Sequence, residues 1–129
     1  MDSSPVKSHY ERLGGEEAVQ KLVDRFYDLM DEDDSVIGIR KMHAKSLRIS
    51  RKKLFLFLSG WFGGPQLYVE KYGHPMLRKR HFPFAIGESE RDQWLKCINT
   101  ALDEQVEEEL FKVSLKQSFS KMADHMINQ

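Results

Sequence analysis

The sequence predicts an all-α domain built from four principal helices and a short ligand-bearing segment. Apolar residues recur every three or four positions in several long segments, which is the period of an amphipathic helix. No segment alternates as a strand does, and no internal repeat is present. With 129 residues, 40% of them hydrophobic and 31% charged, the chain has the size and composition of one globular domain. We assign residues 1–9 to an N-terminal extension and residues 10–129 to the domain.

The first long helix is predicted over residues 16–30. Gly14 and Gly15 before it permit a tight corner, and the acidic run of residues 31–34 ends it. Residues 35–45 lack a clear period, so we expect a long connection there with one helical turn. The apolar face of the helix comprises Val19, Leu22, Val23, Phe26, Tyr27 and Met30.

The second long helix is predicted from a cap at Ser46 or Ser50 to Phe62. Its predicted buried stripe comprises Ile49, Lys53, Leu54, Phe57, Leu58 and Trp61. Two further apolar residues beside the stripe make the helix apolar over more than half of its surface. Such a helix is covered on two sides, by protein or by an apolar ligand. Gly63, Gly64 and Pro65 end it, and residues 66–74 are predicted to be a connector.

Two more helices are predicted in the C-terminal third. The helix over residues 89–105 begins at Ser89, with Asp92 three positions on as in a capping box. Its inner face comprises Trp94, Cys97, Ile98, Ala101 and Leu102. For the last helix, over residues 107–127, the predicted buried residues are Leu110, Val113 or Ser114, Phe119, Met122 and Met126.

The charges of the chain sum to zero but are unevenly distributed. Residues 35–69 contain no acid, yet they contain seven basic residues: Arg40, Lys41, Lys45, Arg48, Arg51, Lys52 and Lys53. A neutral protein with a basic middle segment has a local anion site or a basic face, and a merely solvated face is the common alternative. The single cysteine excludes an internal disulfide, and the longest apolar stretch is too short to span a bilayer. We therefore expect a cytoplasmic protein with no membrane partner.

The segment from Tyr72 to Phe84, with the sequence YGHPMLRKRHFPF, carries the strongest chemical signal. Pro83 cannot continue a helix and forces the residue before it toward extended geometry, so His81 lies at the end of a short basic turn with its ring free. Arg80 beside it offers a planar cation for a carboxylate. A flat, apolar, metal-bearing ligand with anionic groups at one rim fits these features, and that ligand is heme. A lone histidine more often has no ligand role, so the rest of the chain must support this interpretation.

The ordered motifs support it. They are Gly14-Gly15, Phe26-Tyr27, the run from Trp61 to Pro65, the segment 72–84 and the run from Glu90 to Leu95. In this order they resemble the group II truncated hemoglobins, globins that form a two-over-two helical sandwich around heme. The resemblance covers residues 10–127. A zinc site made by His74 and His81 is a weaker alternative, because Pro75 prevents one continuous helix through both.

The resemblance implies heme b as the cofactor, with His81 as the proximal ligand of its iron. Tyr27 and Trp94 match the residues that donate hydrogen bonds to the bound diatomic ligand. His43 matches a position facing the pocket, where it adds a third hydrogen bond or binds the iron as a sixth ligand. Ser50 stands where many globins have His or Gln, and its hydroxyl is too short to reach the ligand easily. The other implied heme contacts are Arg80, Lys53 and Tyr68 with the propionates, and Phe26, Phe57, Leu54 and Trp94 with the ring.

The function implied is reversible binding of O2, and of CO or NO, in a polar pocket. Hydrogen-bond donors in the pocket slow the release of the bound ligand, which suits sensing, scavenging or redox chemistry better than bulk transport. A heme-dependent NO dioxygenase or peroxidase-like enzyme, supplied by an unknown electron donor, uses the same residues. Two remote alternatives remain open: a basic nucleic-acid-binding module using residues 40–53, and a helical interaction domain without cofactor. The main interpretation predicts no nucleic-acid partner.

Overall fold

The computed structural model describes residues 7–129, and these confirm the predicted all-α fold. The described residues form eight α-helices and one 3₁₀ turn, Asp34–Val36. The helices are α1 (His9–Leu13), α2 (Glu16–Glu32), α3 (Ile37–Lys41), α4 (Arg48–Trp61), α5 (Leu67–Tyr72), α6 (Leu77–His81), α7 (Glu88–Gln105) and α8 (Glu109–Asp124). Over residues 7–129 we find no helix that combines the length and the apolar character needed to cross a membrane.

Two helix pairs enclose the core. Helix α2 packs against both α4 and α7, and α7 packs in turn against α8. The six predicted apolar residues of α2 are all buried in this core. Gly14 and Gly15 adopt positive φ angles of 124° and 80°, which allow the tight corner that separates α1 from α2. The sequence pattern therefore predicted this helix correctly, apart from two additional residues at its C-terminal end.

Helix α4 differs from its predicted pattern at its N-terminal end. Leu47 is the N-cap residue, and the Ser46 hydroxyl accepts a hydrogen bond from the Arg48 backbone amide at 3.4 Å. Ser50 lies inside the helix and caps nothing. Ile49 is 60% exposed, so its place in the predicted buried stripe was wrong. The stripe begins instead with Leu54, because the first turn of α4 extends beyond the core.

Of the short helices, one was predicted and one was missed. The helical turn expected within residues 35–45 is α3, which follows the 3₁₀ turn, whereas the predicted connector at residues 66–74 contains α5. Helix α5 has six residues, between Pro65 and Gly73, whose φ is 79°. Six residues span fewer than two turns, so apolar periodicity cannot identify such a helix.

Helix α7 starts one residue earlier than predicted and uses a different cap. Gly87 is the N-cap residue, and its backbone amide donates to Glu90 Oε1 at 2.7 Å. Ser89 lies within the helix, where its hydroxyl accepts from Gln93 Nε2 at 3.0 Å. The predicted Ser89–Asp92 capping box was therefore wrong, because Glu90 is long enough to reach back to the preceding turn.

Helix α8 buries a different face in its first half from the one predicted. Leu110 is 81% exposed and Val113 is 44% exposed, so both were wrongly placed in the core. The buried row is spaced by four residues and comprises Phe111, Leu115, Phe119 and Ala123. The larger Phe111 takes the inner position, where its ring contacts His9 at 5.5 Å between centroids.

Candidate functional site

A cavity of about 660 Å³ opens between α3, α4, α6, α7 and the C-terminal end of α8. The residues that line it include these, which the sequence analysis had assigned to the site: Tyr27, His43, Lys53, Leu54, Phe57, Tyr68, Arg80, His81 and Trp94. Its further lining residues include Ile39, Met42, Ser50, Leu77, Phe84, Ile86, Glu90, Arg91, Met122 and Met126. The volume and the mostly apolar side chains are those of a site for a large organic ligand.

His81 is the last residue of α6, and a backbone group determines the orientation of its ring. Its Nδ1 atom lies 2.6 Å from the carbonyl oxygen of Leu77. A carbonyl oxygen only accepts, so Nδ1 carries the proton and donates. In the neutral ring, the Nε2 lone pair is then free at the cavity. Fixing the other ring nitrogen in this way is how proteins orient a histidine that ligates a metal.

A left-handed residue and a side-chain hydrogen bond shape the turn that leads into α6. Met76, the N-cap residue of α6, has a φ of 46°, and His74 Nδ1 accepts a hydrogen bond from its backbone amide at 3.1 Å. His74 therefore braces the turn before α6. Within residues 7–129 no group of three or more His, Cys, Asp and Glu residues is arranged to hold a metal ion.

The segment after α6 is held by Asn128, near the C-terminal end of the chain. Its side-chain amide donates to the Phe84 carbonyl at 2.8 Å and to the His81 carbonyl at 3.3 Å. The Ile86 backbone amide donates to Asn128 Oδ1 at 2.9 Å, and the Asn128 backbone amide donates to the Ile86 carbonyl at 2.8 Å. No local pattern in the sequence indicates this role, because the contacts join residues more than 40 positions apart.

Tyr27 and Trp94 bring hydrogen-bond donors to the cavity from α2 and α7. Burial raises the pKa of the Tyr27 phenol well above its usual range, and the nearby Arg51 and Ser50 only partly oppose that effect. The phenol therefore stays protonated and can donate. The Trp94 ring packs on Phe26 at 5.1 Å, and its indole N–H is in no hydrogen bond formed within residues 7–129. Its donor is thus available to a ligand.

His43 follows α3, and its ring is oriented by the same kind of bond as that of His81. Its Nδ1 atom lies 2.7 Å from the Ile39 carbonyl oxygen, so Nδ1 is the donor. Burial lowers the pKa of His43; the bond to Ile39 opposes this, whereas Arg40 and His81 add to it. The neutral ring therefore has an unprotonated Nε2. The Tyr27 ring is its neighbour, at 5.9 Å between centroids.

Lys53, Tyr68 and Arg80 stand together where the cavity meets solvent. The Arg80 guanidinium lies 5.8 Å from the Tyr68 ring centroid, and Lys53 Nζ lies 5.5 Å from that of Tyr72. Neither cation pairs with a carboxylate within residues 7–129. Both are therefore available to an anionic group of a ligand.

Phe26 is the predicted lining residue that the structure places elsewhere. Its side chain is fully buried and does not line the cavity. It packs instead behind Tyr27 and Trp94, at 4.8 and 5.1 Å between ring centroids. Phe84 also lines the cavity and was missed; the only sequence signal for it is an aromatic residue directly after Pro83, close to His81.

The side chains that line the cavity fit heme. One free imidazole nitrogen suits an iron, apolar side chains suit the porphyrin ring, and unpaired cations at the rim suit its propionates. Tyr27 and Trp94 add the polar groups that a pocket for a diatomic ligand needs.

The family model described as bacterial-like globin matches residues 8–128. The group 2 truncated hemoglobin YjbI of Bacillus subtilis (strain 168) is 37% identical over 93% of this chain and 88% of its own length. The cold-adapted truncated hemoglobin from the Antarctic marine bacterium Pseudoalteromonas haloplanktis TAC125 is 50% identical, with a TM-score of 0.94 over 95% of this chain and 99% of that one. The group II 2-on-2 hemoglobin from the plant pathogen Agrobacterium tumefaciens is 42% identical, with a TM-score of 0.94 over 99% of both chains.

Proposed function

Since the chain belongs to the bacterial-like globin family and is a group II truncated hemoglobin with heme b as its cofactor, we propose that it binds O2 reversibly, with His81 as the proximal ligand. One observation carries the proposal. His81, whose Nδ1 is held by the Leu77 carbonyl so that Nε2 is the free nitrogen of the neutral ring, lines the same cavity as the donors Tyr27 and Trp94. CO and NO are further ligands of the same site.

Heme b supplies an iron centre that binds diatomic gases in its ferrous state. The protein supplies the surroundings. His81, oriented by its bond to Leu77, would bind the iron, and Phe57 and Leu54 would pack against the porphyrin ring. Arg80, Lys53 and Tyr68, which line the cavity where it meets solvent, would bind the propionates. A hydrogen bond to a charged group stabilises by about 1.5–3 kcal/mol, so these contacts contribute to heme retention.

Tyr27 and Trp94 determine how long a ligand stays. O2 bound to ferrous iron attracts hydrogen-bond donors because it carries partial negative charge. A typical hydrogen bond contributes about 0.5–1.5 kcal/mol net, which slows release about two- to tenfold for each donor. Slow release supports sensing, scavenging or redox chemistry in preference to bulk transport.

His43 has a different role from that of a third donor at neutral pH. Its Nδ1 proton is used by the Ile39 carbonyl, and burial keeps the ring neutral. The unprotonated Nε2 has a lone pair and no proton, so it cannot donate a hydrogen bond to a bound ligand. The same lone pair makes His43 the side chain best suited to bind iron in a six-coordinate form.

Optical spectra of the purified, heme-supplied protein test the proposal in its ferric, ferrous and CO-bound states. A stoichiometric Soret band that shifts with CO to a histidine-ligated form, together with reversible uptake of O2, is the expected result. A six-coordinate ferrous spectrum that is lost in His43→Leu would identify His43 as the sixth ligand. A protein that rejects heme, or one whose carbonyl form lacks histidine ligation, would overturn the proposal.

A further inference from the structure

Four cations lie close together around the cavity mouth. We call Lys52, Lys53, Lys71 and Arg80 the basic rim. Within residues 7–129 none of them forms an ion pair with a carboxylate. Several cations elsewhere are paired: Arg12, Arg25, Arg40, Arg51, Arg91, Lys96, Lys112 and Lys116. Positive charge is thus left unneutralised at the cavity mouth of a chain with zero net charge.

The basic rim is continuous with the cavity. Lys53, Arg80 and Tyr68 line the cavity, and the Tyr68 ring packs on Tyr72 at 5.0 Å between centroids. Lys53 and Lys71 each place Nζ 5.5 Å from the Tyr72 centroid. The rim therefore extends from the cavity outward over the exposed surface of α4 and α5.

Like charges are crowded in this rim. The Lys71 ammonium lies close enough to Lys52 to lower the pKa of Lys52. Adjacent ammonium groups repel each other, and an anion placed between them relieves the repulsion. The two propionates engage the inner cations, Lys53 and Arg80, which leaves the outer pair, Lys52 and Lys71, for a second anionic surface.

The rest of the basic stretch does not extend this surface along the chain. Arg51 donates to Asp28 at 2.8 Å and to Asp24 at 3.2 Å. Arg40 donates to Asp31 at 2.8 Å and to two backbone carbonyls. Because these two guanidinium groups are engaged inside the protein, residues 40–53 do not present the unbroken cationic track that a nucleic-acid backbone requires. Lys41, Lys45 and Arg48 also have no carboxylate partner among the described residues, but they do not line the cavity as Lys53 does.

We propose that the basic rim is the docking surface for an acidic electron-transfer protein, one whose redox group is surrounded by carboxylates. The inference rests on the proposed function, because it concerns reduction of the heme that this cavity holds. One electron leaves the reduced flavin of the donor and reaches the ferric iron, which becomes ferrous as the donor is oxidised by one electron. Docking at the rim brings the donor to the exposed edge of the heme, and complementary charge accelerates the encounter.

Reduction of the ferric holoprotein by reduced flavodoxin, an acidic flavoprotein, tests this assignment by stopped flow. The second-order rate constant should fall at least about tenfold as salt rises from about 10 mM to about 300 mM, since screening weakens steering. Lys52→Glu/Lys71→Glu should lower the rate at low salt by a similar factor. Lys21→Glu/Lys121→Glu makes the same change in net charge at exposed positions outside the rim, and should lower it far less.

Further measurements separate docking from other effects. Hexaammineruthenium(II), a cationic reductant, should reduce the rim variant at least as fast as the wild type. The Soret band and carbonyl spectrum of each variant confirm that it holds heme. A heme-loaded protein whose reduction by flavodoxin ignores both salt and the rim variant would overturn this inference alone, whereas a protein without heme would overturn the proposed function with it. Rim-dependent binding to duplex DNA or phosphatidylglycerol vesicles, without an effect on flavodoxin, would assign the rim to those partners and overturn the electron-donor assignment.

Discussion

The Nδ1 atom of His81 lies 2.6 Å from the carbonyl oxygen of Leu77, one helical turn earlier, and His43 repeats this arrangement with the carbonyl of Ile39 at 2.7 Å. Each imidazole thus donates through Nδ1, and in the neutral ring Nε2 is the nitrogen without a proton. At His81 this is the form that binds a metal. At His43 the same bond makes the ring an acceptor, so the donors of the pocket at neutral pH are Tyr27 and Trp94.

Replacing the His81 side chain should separate its ligand role from any structural role. His81→Gly is expected to lose heme on gel filtration, because no other side chain of α6 supplies a neutral nitrogen. Free imidazole should restore a histidine-like Soret and carbonyl spectrum, since it can occupy the space that the side chain leaves. His125→Ala, outside the cavity lining, serves as the control and should keep its heme. Normal spectra for His81→Gly without imidazole would refute the proximal assignment.

The two distal donors should each affect the release of O2. Trp94→Phe and Tyr27→Phe remove one donor each and keep an aromatic ring, so the O2 dissociation rate should rise about two- to tenfold in each case. Displacement of O2 by CO in a stopped-flow instrument measures it. Trp61→Phe is the matched control, because Trp61 packs on Phe119 at 4.6 Å and does not line the cavity. A rate unchanged in Trp94→Phe would remove that residue from the distal network.

Asn128 should determine how firmly the proximal side holds heme. Asn128→Ala removes three side-chain hydrogen bonds that involve the backbone of His81, Phe84 and Ile86. We expect a loss of about 1–3 kcal/mol in the free energy of unfolding and faster transfer of heme to apomyoglobin. Gln129→Ala is the neighbouring control, since the Gln129 amide contacts only the Asn128 side chain, at 3.4 Å. Equal rates of heme transfer from the two variants would contradict the role given to Asn128.

Local chemistry explains which parts of the site were predictable from the sequence. Helix α6 ends at His81, as expected two residues before Pro83. Phe82 keeps helical angles (φ −56°, ψ −34°), however, so the extended geometry predicted for the residue before the proline was wrong. The buried face of α2 was predictable because 17 residues repeat the helical period several times. Helix α5, with six residues, offers no such repetition.

Other features depend on contacts that no local pattern reveals. Phe26 has the same apolar character as the residues that line the cavity, and only the packing of Tyr27 and Trp94 in front of it places it in the second layer. Leu110 and Phe111 are adjacent and both apolar, so the sequence did not distinguish which one turns inward. Asn128 reaches residues more than 40 positions away, which makes its role visible only in the folded structure.

The two apolar faces of α8 should differ sharply in their effect on stability. Leu115 is fully buried, so Leu115→Ala should lower the free energy of unfolding by about 2–5 kcal/mol, the usual cost of such a truncation in a core. Leu110→Ala removes the same atoms from a side chain that is 81% exposed and should change stability by less than about 0.5 kcal/mol. Denaturant unfolding followed by circular dichroism measures both. Equal losses would mean that Leu110 is buried in solution.

The acid sensitivity of the turn before α3 should trace to Asp33. Its carboxylate accepts hydrogen bonds from Ser35, including the backbone amide at 2.9 Å, and lies 3.1 Å from Lys96 Nζ. The Ser35 hydroxyl, the Ser35 amide and Lys96 together lower the pKa of Asp33 to about 2, from 3.8 for an ordinary carboxyl. Because the folded pKa is the lower one, Asp33 stabilises the fold above about pH 4, and this stabilisation is lost as the pH falls toward 2.

Asp33→Asn should therefore be less stable than the wild type at pH 7, and the difference should shrink at pH 3. Asp34→Asn changes the same charge one residue later and should show a smaller difference at pH 7. A difference for Asp33→Asn that stays constant from pH 7 to pH 3 would show that the ionised carboxylate is not what stabilises this turn, which leads into α3 and His43.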